Sequence, residues 1–230
     1  MKYDKYDLSL TVTDLVGGTP KNPELIRAWH AARWPAGTGR LGLGDPATPE
    51  EATERTIQAL GAGVDDDPAA AMWSGFVEVD GTPALESRQV KAALKEAANI
   101  LRDQEEFYVR GKPIFLRSKL AEQVFVLPKV LPLTGKVETR EHPVHAMTRQ
   151  GPRTSLKRVD YIRTAGLAAT LAVAGLGTFT EDRLRSLLDY AAINGLGAER
   201  SQGHGQFTWE LDHAGTFGSV VDLRQSVTAR

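Results

Sequence analysis

A chain of 230 residues is long for one domain and short for two, and its 41% hydrophobic and 25% charged residues are the make-up of an ordinary globular protein able to bury a sizeable core. It has no cysteine, which excludes disulfides and thiolate zinc sites and points to a reducing compartment. A formal net charge of -1 argues against a strongly cationic binder, so any affinity for nucleic acid has to come from how the 28 Lys and Arg are distributed.

The segment Met1 to Asp7 is polar, with no apolar stretch of the signal-peptide kind behind it, and Leu167 to Leu176 is too short to span a bilayer. A soluble, cytoplasmic protein with no membrane partner is expected. Leu8 to Thr13 alternates apolar and polar residues and reads as a half-buried strand. Asn22-Pro23-Glu24 and Thr48-Pro49-Glu50 each open a helix, with cap, proline and first-turn acid in order. The first helix carries Leu25, Ile26, Trp29 and Ala32 on one face, the second Ile57 and Leu60. Gly- and Pro-rich residues 35–44 and the acidic loop 61–68 surround the second. Trp73 to Val79 reads as a strand ending at the Asp80-Gly81 turn.

Ser87 is expected to cap a helix over 88–103, with Val90, Leu94, Ala97, Ala98 and Leu101 at helical spacing and Lys91 and Lys95 as an i, i+4 pair off that stripe. Ile114-Phe115-Leu116 and Val124 to Leu127 read as strands, and 132–152 as irregular, basic and turn-rich. Residues 157–162 and 166–174 read as extended. Thr180 caps a helix whose face is Leu184, Leu187, Leu188 and Ala191, and Asn194-Gly195 stops it. A strand over 206–211 follows, with Phe207, Trp209 and Leu211 on one side.

Between that helix and strand lies Gly195-Leu-Gly-Ala-Glu-Arg-Ser-Gln-Gly-His-Gly205. Such a loop can approach a ligand closely and aim consecutive N–H groups at a phosphate. Arg200 and Ser201 suit phosphate contact, and Gln202 and His204 suit contact with a base. It lacks the Gly-Lys-Ser/Thr ending of a P-loop, and it follows a helix and opens a strand, the reverse of a dinucleotide fingerprint. Taken alone, the glycines are equally compatible with a bare connector.

The stretch 180–209 resembles the C-terminal end of the RAMP superfamily, the ferredoxin-like, RNA-binding proteins of CRISPR effector complexes, whose glycine-rich loop often holds an Arg-Ser pair. Gly195-Leu-Gly197 and Arg200-Ser-Gln-Gly-His-Gly205 match that loop, and the stretch from Glu86 to Ala98 is similar, more weakly, to the opening of the family's first helix. The resemblance implies an α+β fold with a βαββαβ core. It would be built from strand 8–13, helix 88–103, strands near 114–127, strand 166–174, helix 180–194 and strand 206–211, as a single RAMP-like domain over 1–230. Insertions would span about 14–86 and 128–157, the first of them as helices and loops outside the central sheet. It also implies non-catalytic binding of single-stranded RNA or DNA, with no cofactor, beside copies of the chain or other subunits of a CRISPR complex or a related phage or mobile-element system. The candidate contacts are Gly195, Gly197, Arg200, Ser201, Gly203, His204 and Gly205, with Lys91 and Lys95.

A basic run of Arg149, Arg153, Lys157, Arg158 and Arg163, with Thr154, Ser155 and Tyr161 between, adds Arg153, Lys157 and Arg158 to those contacts. His142-Pro-Val-His145 lacks a third metal ligand and reads as solvated loop histidines. Asp65-Asp66-Asp67 reads as a solvated turn in preference to a magnesium site. Two other functions stay open. One is a metal-independent endoribonuclease using His204 or His145 as general acid or base; the other is an assembly protein in which the loop merely connects.

Overall fold

The computed structural model describes residues 2–21, 73–109, 111–148 and 151–218, without the side chains of 142, 144–148 and 151–155. The expected helices within 22–60, the loop 61–68 with Asp65 to Asp67, and Arg149 lie outside these residues. The fold is mixed α+β. In chain order it runs β1 (Tyr3–Val16), β2 (Thr19–Pro20), β3 (Trp73–Gly75), β4 (Val77–Val79), β5 (Thr82–Glu86) and α1 (Ser87–Ile100). Then come α2 (Leu116–Gln123), β6 (Val124–Leu127), β7 (Val130–Pro132), β8 (Glu138–Thr148), β9 (Gly151–Ala174), α3 (Glu181–Asn194) and β10 (Phe207–Phe217).

The chain divides into two compact units, the first formed by 1–15, 84–136 and 162–230 and the second by 16–83 and 137–161. In the first, β10 pairs antiparallel with β1, β1 lies beside β9, and β6 pairs antiparallel with β9. The alternation that predicts β1 sets Tyr6, Leu8, Leu10 and Val12 into the core and Asp7, Ser9 and Thr11 outward. The helices close the core. α1 buries Val90, Ala93, Leu94, Ala97 and Ala98 against α2, α3 and β6, and α3 buries Leu184, Leu187, Leu188 and Ala191. Each fully buried leucine contributes about 1.5–3 kcal/mol of transfer free energy. Arg183, at the start of α3, donates to the carbonyls of Glu106, Thr178 and Tyr108 at 2.7–2.8 Å and so ties the segment after α1 to this helix.

Several local expectations are corrected. Ser87 is the first helical residue, not the cap: Glu86 occupies the N-cap and makes no side-chain cap bond. Residues 114–116 are not a strand. Leu116 opens α2, whose buried positions Leu116 and Leu120 are four apart, while Phe115 stands 87% exposed. The stretch 132–152 is not irregular: β8 and the start of β9 form a long hairpin in register from Glu138↔Tyr161 to Thr148↔Gly151. Among the described residues β8 pairs with β9 alone, and an edge strand can lack one ladder donor, so Pro143 is tolerated there. The two extended segments at 157–162 and 166–174 are one strand, β9. Nor do both ends of 14–86 leave the sheet, since β2 pairs with β3 and β3 pairs in parallel with β9 at Trp73↔Arg158.

The second unit is organised round a buried carboxylate. Asp160 is 1% exposed. It accepts hydrogen bonds from Trp73 Nε1 at 2.9 Å and Thr139 Oγ1 at 2.8 Å, and it pairs with Lys21 Nζ at 2.9 Å. Lys21 also reaches Glu78 at 3.3 Å and lies over the Trp73 ring, 5.1 Å from its centroid. A buried charge is tolerable only when paired and hydrogen-bonded in this way. Gly75 makes room for it: a Cβ there would stand 2.4 Å from Asp160 Oδ2.

Candidate nucleic-acid interface

The glycine loop is closed at its neck by the chain itself. Leu196 N–H donates to Gly205 O at 2.8 Å, and Gly205 N–H donates to Thr13 O, at the end of β1, at 3.0 Å. Gly195 (φ +83) and Gly205 (φ +78) sit where the two ends touch; a Cβ on Gly205 would lie 1.9 Å from Leu196 O, and one on Gly195 2.7 Å from His204 O. These two glycines are therefore explained by backbone approaching backbone. Between them the chain makes a short 3-10 turn, Arg200–Gln202, entered through left-handed Glu199 and left through Gly203 (φ +86). Ser201, Gln202 and Gly203 are exposed, and His204 is half-buried and partnered.

Arg200 points from the loop onto α1, where Nη1 pairs with Glu96 Oε2 at 2.8 Å. That hydrogen bond holds the Glu96 carboxyl below the ordinary glutamate value. A cleft of about 140 Å³ lies here, lined by Gln89, Ala92 and Glu96 of α1 and by Gly195, Gly197 and Arg200 of the loop. A larger cleft of about 400 Å³ is lined by Arg88, Lys91, Lys95 and Asn99 of α1 and by Arg117 of α2. The two clefts share Ala92 and Glu96, so α1 forms a wall of each. Lys91 donates from Nζ to Ala121 O at 2.8 Å and lies 4.9 Å from the centroid of the Phe125 ring. Burial, and then repulsion by Lys95, pushes its pKa below the ordinary lysine value.

The opposite face of this unit's sheet is of another character. Across β1 and β10, Asp7 faces Asp212, Ser9 faces Glu210 and Thr11 faces Thr208, all exposed. Thr170 of β9 donates to Asp7 at 3.2 Å on the same face. These rows of acids and hydroxyls do not suit a phosphate backbone.

Of the residues singled out in the sequence, Lys91, Lys95 and the glycine-loop set of Gly195, Gly197, Arg200, Ser201, Gly203, His204 and Gly205 lie in the first unit. Lys157 and Arg158 lie in the second, and Arg158 stacks on Trp73 with 4.2 Å to the ring centroid. Arg153 stands opposite Ala146, and His145 opposite Thr154, along the β8–β9 hairpin. Sequence reasoning missed Arg88, Glu96 and Arg117. The spacing of Arg88, Lys91 and Lys95, at i, i+3 and i+7, was a readable signal for the first of these. Among the described residues no group of three His, Asp or Glu side chains is placed to hold a metal ion, and no helix is long and apolar enough to cross a membrane.

No protein-family model matches the sequence, and no curated protein matches it. Among solved structures, the chain is similar to one in the cryo-EM structure of the Type III-B Cmr-beta bound to cognate target RNA. The TM-score is 0.43 with 13% identity, over 93% of this chain and 62% of that one. The chain thus spans less than two thirds of that neighbour's length.

Proposed function

We propose that this chain binds single-stranded nucleic acid, RNA foremost, as a non-catalytic RAMP-like subunit of a CRISPR or related ribonucleoprotein complex. In this reading β1, α1, β6, β9, α3 and β10 form a ferredoxin-like βαββαβ core within one domain, and the remaining segments are insertions. One observation carries it. Two clefts that share a wall on α1 bring Arg88, Lys91, Lys95 and Arg117 together with the glycine loop and Arg200, in a chain whose overall charge is only -1. Phosphates would lie along this face, and the acidic sheet face would repel them. Lys157, Arg158 and Arg153 are proposed as further contacts. The partners are the strand and neighbouring subunits.

Fluorescence anisotropy with labelled RNA and DNA oligonucleotides at several salt concentrations tests the proposal. Arg200→Glu is expected to weaken binding about tenfold and to lower the salt slope by about one phosphate's worth. Lys5→Glu, on the face that carries Asp7, is expected to change it much less. Equal affinity in the wild type and the Arg200 variant would remove the loop from the interface. No binding to any oligonucleotide, alone or with its native partners, would leave the assembly role.

The Glu96 pair sets a second expectation. Glu96→Gln removes the carboxylate that competes with phosphate for Arg200, and should tighten binding roughly two- to fivefold in the same assay. The side chains are 35% and 44% exposed, so solvent screening keeps the pair within about 1 kcal/mol. Weaker binding by this variant would show instead that Glu96 positions Arg200 for the ligand.

A further inference from the structure

We propose that the cleft between α1 and α2 captures a phosphate monoester, the phosphorylated end of a nucleic-acid strand, and so fixes where on this face a strand begins or stops. The proposal rests on the single-strand reading above and gives this part of the face a particular ligand.

The cleft gathers four cations and one acid. Arg88, Lys91 and Lys95 project from one side of α1, and Arg117 of α2 completes the lining. Arg88 is paired with Glu86. Among the described residues no carboxylate pairs with Lys91, Lys95 or Arg117. The lining's one acid, Glu96, is engaged by Arg200. Like charges four apart on a helix destabilise it, and here Lys91 is also desolvated, so the cluster stands at a cost that an anion would relieve.

Geometry narrows the anion. Lys91 is held in place by the Ala121 carbonyl and the Phe125 ring, which leaves two of its three ammonium protons for another acceptor. The cleft, at about 400 Å³, falls at the lower end of the roughly 300–1,000 Å³ of ligand pockets and suits one nucleotide-sized group. A chain phosphodiester carries a single charge. A terminal monoester carries about -1.5 to -2 at neutral pH and three strong acceptor oxygens, which is what three unpaired cations round one cleft complement. Arg117 adds a planar fork able to grip two of those oxygens.

The test uses labelled single-stranded RNA of one sequence in three forms, with a 5′-phosphate, with a 3′-phosphate and with hydroxyls at both ends. Anisotropy is read on the wild type and on a Lys95→Gln/Arg117→Gln double variant. Neither side chain is in the core, so the variant should keep the wild-type circular dichroism spectrum. One end-phosphorylated form is expected to bind the wild type about tenfold tighter than the hydroxyl form does; the double variant, which loses two cations of the strand-binding face, is expected to bind every form more weakly and to show no difference between them. A free nucleoside monophosphate should compete only at far higher concentration than the strand, because it forgoes the rest of the face. Equal affinity for all three forms, or an advantage that survives the double variant, overturns the inference and leaves the single-strand reading standing. Should no oligonucleotide bind, thermal shift with nucleoside monophosphate and with inorganic pyrophosphate decides. A shift seen in the wild type and lost in the variant retains a monoester site without the single-strand reading, and no shift removes both.

Discussion

Replacing Asp160 with alanine is expected to lower stability by about 3–5 kcal/mol, the cost of breaking a buried ion pair by removing one partner. The charge left behind is Lys21, whose side chain is 9% exposed and whose other carboxylate, Glu78, stands farther off at 3.3 Å against 2.9 Å. Trp73 Nε1 and Thr139 Oγ1 lose their acceptor in the same stroke. A donor orphaned away from water costs about 1–3 kcal/mol; half-buried Trp73 pays part of this, whereas exposed Thr139 turns to water. Asp160→Asn should cost less, because its carbonyl can still accept one of those bonds. Gly75→Ala should resemble the alanine variant of Asp160, since the new methyl would stand 2.4 Å from Asp160 Oδ2 and 2.5 Å from Lys21 Cε. Urea denaturation followed by tryptophan fluorescence measures all three. An unchanged midpoint for Asp160→Ala would mean that water or a rearranged side chain replaces the carboxylate, and that the network does not hold this unit together.

How much of this was legible in the sequence varies with the range of the forces involved. The end of the chain was readable because its signals are local. Thr180 accepts from Arg183 N–H as a cap, the leucines at 184, 187 and 188 recur on one face, and Gly195 ends the helix at positive φ. β1 was readable because one of its faces is buried and the other solvated. α2 was not: two turns with only Leu116 and Leu120 on the apolar side give too short a period to separate helix from strand. β8 was hidden by Pro143 and by charged residues that an edge strand accepts. The candidate site was legible only in pieces. Arg200 and the lysines of α1 stood out by composition. The pairing of Arg200 with Glu96 spans 104 residues, and nothing local in either segment announces it. Arg117 could not be placed in a cleft while the helix that carries it read as a strand.

The glycines at 203 and 205 separate what the loop needs for its own shape from what it offers to a ligand. Gly205→Ala is expected to cost about 3 kcal/mol or more. Its φ of +78 is strained for any residue with a Cβ, worth about 1–2 kcal/mol, and that Cβ would be driven to 1.9 Å from Leu196 O. Overpacking of this kind adds about 1–3 kcal/mol. The neck would have to part, breaking the 2.8 Å bond from Leu196 to Gly205 and the 3.0 Å bond from Gly205 to the end of β1. Gly203→Ala carries a similar backbone strain, φ +86, but its Cβ would meet nothing within 4 Å. It should therefore cost only the strain, about 1–2 kcal/mol. Denaturation midpoints of the two variants, with the m-values checked for equality, measure the difference. Equal losses would mean that the neck contact is not what requires glycine at 205. The same proteins then report on function. A Gly203→Ala variant that stays folded yet binds single strands much more weakly would bring the ligand to the loop backbone at its open tip. Unchanged binding would leave the clefts on either side of α1 as the surface that holds it.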